Sequence, residues 1–491
     1  MTSPSLNPPS VDRRLLAQLS HHLTAIGFTE DRIRDAVNGA PNPDPWSFAS
    51  RDLRADNSPL SIVARMFCFG VPVERRLAES AFGTLSVADL EELGLVDAGD
   101  DLVRPLCLIR PASGLFVASD IPSPSPDIVL GAVPASETLA RLTIRRPVAR
   151  AFDLGTGCGI QALLLARHAA DVTAVDINPR ALALAAFNAA LNDLPNVRVR
   201  EGSWFAPVAG QLFDVIACNP PYVISPDTAF TYRDGGLTRD HVSRMVVRES
   251  AAHLADGGFA TVLCNWIHDG KEWAAAVRPW IAETGCDALL VHYATLDPVN
   301  YAMRWNTELR TRDPQAHDTT VRRWLDYFRS ERIEHIAFGG ILLRRRDGSS
   351  SHWVRALEMS EGPTGPCSEQ ILRLFDAADF LESPAGGELF AQAFRLVDGH
   401  AIDQTLRFSD GRYAVAPAIF KCVPGLGLQA PVDARTLEVL LECNGDRTLG
   451  ELVAATAADR GEPVDALQGL IGQTVRQLVE RGFMVPVSVG R

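Results

Sequence analysis

The sequence lacks several features that would have settled its class at once. No two of its nine cysteines stand in a Cys-x-x-Cys pair, and the odd number argues for reduced, buried thiols over a disulfide framework or a zinc knuckle. No apolar run is long enough to cross a bilayer. Met1–Ser10 is rich in Pro and Ser and lacks the apolar core of a signal peptide, so a cytoplasmic location is expected. Positive charge is in deficit. The net charge of -13 argues against a surface built to wrap long nucleic acid, which relies on Lys and Arg. The histidines show no metal-like spacing, and no metal is expected.

What remains is ordinary globular composition, 46% apolar and 22% charged, spread over 491 residues. That length exceeds one hydrophobic core and predicts about two to four domains. Residues 1–120 carry helical patterns at Val11–Ile26, Glu30–Val37, Ser58–Phe69, Val73–Ala81 and Ser86–Leu93, then short strands near Gly94–Val96, Asp100–Arg104 and Leu106–Arg110. Helices followed by a small hairpin predict a winged-helix-like domain. Without a basic run, it reads as a packing or substrate-shaping unit before a DNA-binding one.

Residues 121–346 alternate strand and helix. Strands are predicted at Val148–Leu154, Val172–Asp176, Val197–Glu201, Phe213–Cys218, Phe259–Cys264, Ala288–His292 and Phe338–Arg344, with helices at Gly159–His168 and Pro179–Leu191. This is the rhythm of an α/β, Rossmann-like fold, with a mostly parallel seven-stranded sheet covered by helices. The polar and aromatic stretch 297–335 reads as an insertion. Residues 347–367 form a Gly/Ser/Pro-rich linker. Residues 368–491 read as a helix-rich domain with helices at Ala434–Leu441, Thr448–Ala458 and Val464–Arg481, and a strand at Phe483–Val487.

Two motifs carry the chemistry. Ala149–Gly159 is an apolar strand running into Asp153-Leu-Gly-Thr-Gly-Cys-Gly159 and then a helix. Glycines let the backbone approach a ligand closely, and the following helix presents unpaired amides. Asp176 ends the next strand, where a carboxylate can bridge the ribose hydroxyls of an adenosine cofactor. A nicotinamide cofactor would use the same acid, and a helix cap is the structural alternative for it. Asp153 stands where a carboxylate can attract a cofactor's cationic end, or can simply stabilise the loop. Cys158 is read as a small filler.

The second motif is Asn219-Pro-Pro-Tyr222 at the end of the strand Phe213–Cys218. A planar amide or amine nitrogen carries two hydrogens. The Asn219 side-chain oxygen and the Pro220 carbonyl can accept one each, aiming the lone pair at a methyl donor. Prolines stiffen the turn, and Tyr222 can stack on a flat target group.

Together these residues resemble class I S-adenosylmethionine-dependent methyltransferases, most closely the group that methylates release factors on glutamine N5. The resemblance covers roughly residues 127–264. It takes in Asp153–Gly159, Asp176-Ile-Asn-Pro179, Asn188-Ala, Gly202-Ser-Trp-Phe205, Asn219-Pro-Pro-Tyr-Val223 and Asp234-Gly-Gly236. It implies S-adenosylmethionine as cofactor, held by Asp153, Gly155, Gly157, Asp176, Trp204 and Asn219. Thr156, Ile177 and Ser203 are taken with these segments. It implies acceptor contacts from Asn219, Pro220 and Tyr222. In that group an acid usually stands where this chain has Ser203, and neither the insertion 297–335 nor the region after 368 has a counterpart. The stretch from Thr436 is similar to small helix-turn-helix domains, including the peptide-chaperone type.

The expected acceptor is a glutamine-type amide of a protein or peptide. An exocyclic amine of RNA or DNA (adenine N6 or guanine N2) is the first alternative, with the base extruded or single-stranded. A small molecule or natural product is the second. Two side features leave readings open. Five tryptophans between 266 and 324 could line a pocket or pack helices. Residues 301–350 hold ten arginines against seven acids, which could meet phosphates or form a solvated face.

Overall fold

The computed structural model describes residues 9–36, 56–123, 125–227, 233, 236–348, 351–359, 363–409, 411–422 and 425–487. Asp234 and Gly235 of the Asp-Gly-Gly segment therefore lie outside the described residues. The chain forms two compact units. The first holds residues 1–140, 145–288 and 295–352; the second holds 141–144, 289–294 and 353–491.

The first unit opens with α1 (Arg13–Ala25), α2 (Glu30–Ala36) and α3 (Pro59–Phe67), each placing a leucine- or isoleucine-bearing face inward. Asp12 and Ser58 cap α1 and α3 through their side chains, as short polar residues do at helix starts. Then come β1 (Val73–Glu74), α4 (Arg75–Ala81), α5 (Val87–Glu92), β2 (Val96–Ala98) and β3 (Leu102–Pro105), with a Ser86/Asp89 capping box on α5. The strands form an antiparallel sheet in the order β1-β3-β2. The expected helices and hairpin are present, shifted by one or two residues. Val73–Glu74 is a strand and not the first turn of a helix.

A second hairpin, β4 (Leu108–Ala112) and β5 (Leu115–Ser119), leads towards α6 (Pro134–Leu142). The main domain follows: β6 (Val148–Leu154), α7 (Ile160–Ala166), β7 (Ala169–Asp176), α8 (Pro179–Leu191), β8 (Val197–Glu201), β9 (Phe213–Cys218), α9 (His241–Ala252), β10 (Leu254–His268), the short α10 (Arg278–Ile281), β11 (Cys286–Leu296), α11 (Pro298–Trp305), α12 (Thr307–Arg312), α13 (Pro314–Ser330), β12 (His335–Arg345) and β13 (Val354–Glu358). Within the first unit the sheet runs in the order β12-β10-β9-β6-β7-β8. From β10 to β8 the neighbours are parallel, while β12 is antiparallel to β10.

Buried side chains explain why this sheet forms. The Ala151–Leu154 end of β6 and nearly all of β9 are buried, and every residue of α7 is buried, as expected of an element covered on both sides. Asn188 on α8 is fully buried. Its amide exchanges bonds with the Ala118 backbone (2.7 and 2.9 Å) and donates to the Cys158 carbonyl (2.8 Å). Asn192 does the same for Phe116, so two side chains of one helix tie the β4–β5 hairpin to the domain.

The sequence pattern predicts no strand between 368 and 482. The second unit has several. It runs α14 (Ser368–Glu382), α15 (Pro384–Gly387), β14 (Ala393–Leu396), β15 (His400–Asp403), β16 (Leu406–Ser409), β17 (Arg412–Val415), β18 (Ala418–Cys422), β19 (Gln429–Val432), α16 (Ala434–Leu441), β20 (Asn444–Thr448), α17 (Leu449–Arg460), α18 (Val464–Glu480) and β21 (Met484–Val487). These strands are four or five residues long, too short for alternation to stand out. The helices α16 to α18 fall where their apolar periodicity predicted. Asp433 and a Thr448/Glu451 box start α16 and α17, and Gly461 ends α17 in the left-handed conformation.

Candidate functional site

In the order β10-β9-β6-β7-β8, the chain leaves β6 in one direction to β7 and later returns to β6's other side as β9. That makes the β6/β9 boundary a switch point, where open α/β sheets leave a crevice beyond the carboxyl ends of their strands. Both motifs end there. The register pairs Asp153 with Ala217 and Leu154 with Cys218, so the next residues, Gly155 and Asn219, come out side by side. A Cβ on Gly155 would lie 3.9 Å from the Asn219 carbonyl oxygen.

A cavity of about 350 Å³ opens at this point. Its lining includes Asp153, Gly155, Thr156, Gly157, Asp176, Ile177, Ser203, Trp204, Asn219 and Pro220. Every residue singled out for the cofactor thus faces one cavity. Of the acceptor set, Tyr222 does not line it. It packs against the cluster that includes Val223, Ile224, Tyr301 and Trp324, and burial pushes its hydroxyl pKa up to about 12.

The glycine loop is held by carboxylates. Asp153 is 1% exposed, and its Oδ2 accepts from the Thr156 hydroxyl (2.6 Å) and the Ala162 N–H (3.0 Å). Burial raises its pKa to about 7 against the pull of those two bonds, with the Asp176 charge adding to the rise. Asp176 accepts from Gly157 N–H (2.9 Å) and Asn178 N–H (2.9 Å), and burial raises its pKa too. The helix α8 is capped by Asn178, so Asp176 is not its cap. Cys158 is buried with its thiol raised to about 11 by desolvation, and all nine cysteines are free and buried.

Gly155, Gly157 and Gly159 take φ of 68°, 54° and 88°, in the left-handed region that side chains avoid. A Cβ on Gly157 would meet nothing within 4 Å, leaving open space for a ligand. A Cβ on Gly159 would stand 3.0 Å from the Ala185 Cα and Cβ, where α7 meets α8. Gly159→Ala is therefore expected to lower stability by about 2 kcal/mol. Denaturant unfolding would show it, and a change below about 0.5 kcal/mol would refute the close-approach argument. Also on the cavity lining, Gly202 has φ 153° and Trp204 has φ 52°. Left-handed backbone at a tryptophan is strained, and such strain gathers at ligand clamps.

One wall of the cavity carries no sequence motif. Ile128, Val129, Leu130 and Gly131 also line the cavity. Asp120 fixes this wall, accepting from Val129 N–H (2.9 Å) and receiving the Arg180 guanidinium in a bidentate pair (Nε at 2.8 and 2.9 Å). Asn178 adds a side-chain bond to the Asp127 carbonyl (3.0 Å). Asp120 and Arg180 lie 60 positions apart, and no local pattern joins them.

None of the five tryptophans between 266 and 324 lines the cavity; Trp266, Trp280 and Trp324 are core residues. Several of the arginines in 301–350 are occupied. Arg344 and Arg346 converge on the fully buried Asp287, Arg323 pairs with Asp227, and Arg329 with Asp326. Among the described residues, no helix is long and apolar enough to cross a membrane.

The sequence around this cavity, residues 134–272, matches the family described as the methyltransferase small domain. This region is a class I methyltransferase domain. Its methyl donor is S-adenosylmethionine. Residues 25–106 match a domain of unknown function, DUF7059. The domain is 36% identical over 168 residues to the release factor glutamine methyltransferase of Salmonella typhimurium, covering 31% of this chain and 57% of that protein. It is 34% identical over 171 residues to the one from Xylella fastidiosa (31% and 60%), and 34% over 169 residues to that of Escherichia coli (31% and 57%). The chain thus spans less than two thirds of these relatives.

The cavity suits this cofactor. It has two carboxylates, the buried Asp153 and the half-buried Asp176, for a ligand that carries both a cationic end and ribose hydroxyls. It has a glycine cradle open beyond Gly157, and Ile177, 55% exposed, as an apolar platform on its lining.

Proposed function

We propose that this protein is an N-methyltransferase that modifies a planar amide or amine nitrogen, with a glutamine-type side-chain amide of a protein or peptide as the favoured acceptor. The observation that carries this reading is the pairing of β6 with β9, which sets Asn219 and Pro220 on the same cavity as Asp153 and Asp176. The names of the relatives favour a protein glutamine over a base amine.

Asp176 would hold the ribose, and Asp153 the cationic end of the cofactor. Gly155 and Gly157 would let the backbone come close, while Ile177, Ser203 and Trp204 would border the adenine. The cofactor supplies an electrophilic sulfonium methyl. The chain's own task is orientation. The Asn219 side-chain oxygen and the Pro220 carbonyl each accept one N–H of the acceptor, which turns the nitrogen lone pair towards the methyl. Pro220 and Pro221 offer no backbone N–H to compete for those oxygens and fix φ through the turn. Serine at 203 can accept and donate where an acid only accepts, so adenine would be met there by a hydroxyl or by backbone groups.

The test is a transfer assay with methyl-labelled S-adenosylmethionine and three separate acceptor pools: purified release factor, total tRNA and rRNA, and a glutamine-containing peptide mixture. Label is expected in the protein or peptide pools, on glutamine after hydrolysis and mass spectrometry. Label confined to the RNA pool would replace the favoured acceptor with an exocyclic base amine. Failure to bind S-adenosylmethionine would remove the reading altogether.

A further inference from the structure

Helices α11 and α13 lie in the inserted stretch 297–335, and their polar atoms converge on the chain just beyond Asn219–Tyr222. The buried Tyr301 hydroxyl accepts from the Ile224 N–H (2.9 Å) and from the Asn265 side-chain amide (2.8 Å). Asn265 is itself buried on β10. Three residues after Ile224, the Asp227 carboxylate accepts from the Trp324 indole N–H (2.9 Å) and pairs with Arg323 and Arg233. Further along, the Arg239 N–H donates to the Tyr327 hydroxyl (2.9 Å), and its guanidinium donates to the Glu331 carbonyl (2.6 Å). Tyr222, Val223 and Ile224 pack with Tyr301, Trp324 and Phe328 in one cluster.

Apolar atoms would suffice if this insertion only filled space. Instead, tyrosine hydroxyls and an indole N–H from it meet backbone amides and a carboxylate of the 224–239 stretch. Directional bonds in a buried setting fix position, which packing alone leaves looser. The acceptor turn needs such fixing. Its first end is the last residue of β9, Cys218, held in the sheet. Prolines fix φ at 220 and 221, but nothing in their covalent geometry fixes 222–224. Beside a long backbone bond from the Val223 N–H to the Arg233 carbonyl (3.4 Å), the shorter Ile224 N–H to Tyr301 bond (2.9 Å) supplies the second anchor.

We propose that α11 and α13 act as a brace for the acceptor turn, with Tyr301 as its principal positioning residue and the Trp324–Asp227 bond as support. The proposal rests on the N-methyl-transfer reading of Asn219–Tyr222. Tyr301 does not line the cofactor cavity, so its effect passes through Ile224 and the turn to the acceptor nitrogen. A misplacement of about 1 Å at a reacting group costs on the order of a hundredfold in rate. A slackened turn would therefore lower turnover while leaving cofactor binding alone.

The experiment uses the full chain with Tyr301→Phe, which keeps the ring in the cluster and removes only the hydroxyl. The probes are S-adenosylmethionine for binding and purified release factor for transfer. Calorimetric affinity for the cofactor is expected to stay within about twofold of the parent, while kcat falls about tenfold or more. Amide hydrogen exchange is expected to quicken in peptides covering 222–227 and to stay unchanged in those covering 153–162. Trp324→Phe should move exchange at 225–227 and kcat in the same direction, and it carries the test if Tyr301→Phe fails to fold. Parent-like kcat and exchange in the folded variant would overturn the brace. Equal losses of kcat and cofactor affinity would also overturn it, since that is the mark of a general structural role. Asn219→Ala separates the two ideas. If that variant retained full transfer, the N-methyl reading would fail, whereas the exchange measurement would still decide whether Tyr301 holds the turn.

Discussion

Asn219→Ala is expected to lower kcat for methyl transfer by about a hundredfold or more, the size of effect that follows when a reacting group loses its fixed orientation. The side-chain oxygen is one of two acceptors proposed for the acceptor nitrogen. Without it the Pro220 carbonyl is left to hold one N–H, and the nitrogen can swing out of line with the methyl. The register of β6 and β9 makes the effect local, because Asn219 follows the paired residue Cys218 and leaves the sheet intact. Melting temperature should move little. Cofactor affinity should fall less than turnover, since Asn219 shares the cavity with Asp153 and Asp176. Asn219→Asp keeps an acceptor oxygen and should recover part of the rate. Single-turnover kinetics with labelled cofactor would measure both variants, and Asn219→Ala within about fivefold of the parent would end the two-acceptor mechanism.

The second large effect concerns Asp153 and pH. In the cofactor-free protein its pKa is raised to about 7, chiefly by burial. An unfolded aspartate titrates near 3.9. The native state thus holds this proton more tightly than the unfolded chain does. Its contribution to stability is full below about pH 4 and is lost as pH rises through 7, about 4 kcal/mol if the whole shift is expressed. Binding runs the other way, because a cationic ligand end favours the ionised carboxylate. S-adenosylmethionine affinity should rise about tenfold per pH unit from pH 5 to 7 and level off above. Calorimetry below pH 7 in two buffers of different ionisation enthalpy should show close to one proton released per cofactor bound. Asp153→Asn should flatten that dependence and weaken binding by about 2 kcal/mol, the scale of a hydrogen bond to a charged group. An unchanged pH profile in the variant would show that the carboxylate does not meet the cofactor's charge.

Much of the candidate site was legible because its signals are local. The glycine loop, the acid ending the next strand and Asn219–Tyr222 sit at the ends of short apolar runs. Those runs became β6 and β9 with the expected limits, and the limits of β7 moved only at its start. The helix Pro179–Leu191 was legible as α8, but its cap is Asn178 and not the Asp176 that stood as the structural alternative. The strands from 393 to 432 were not legible, since segments of four or five residues carry too little periodicity. Tyr222 was expected over the acceptor. Its ring is held in a cluster built largely from the insertion, and no pattern near 222 signals that partnership.

By itself, the sequence determined the order of strands and helices from β6 to β9, the two motifs and the carboxylates that a class I methyltransferase domain needs, because strand length, capping and turn chemistry act over a few residues. Only the tertiary structure decided what joins distant positions. Asp120 and Arg180 build a cavity wall across 60 residues, and Tyr301 reaches Ile224 across 77. Such pairs leave no periodic trace, since a hydrogen bond depends on where two atoms meet in space and not on their spacing along the chain.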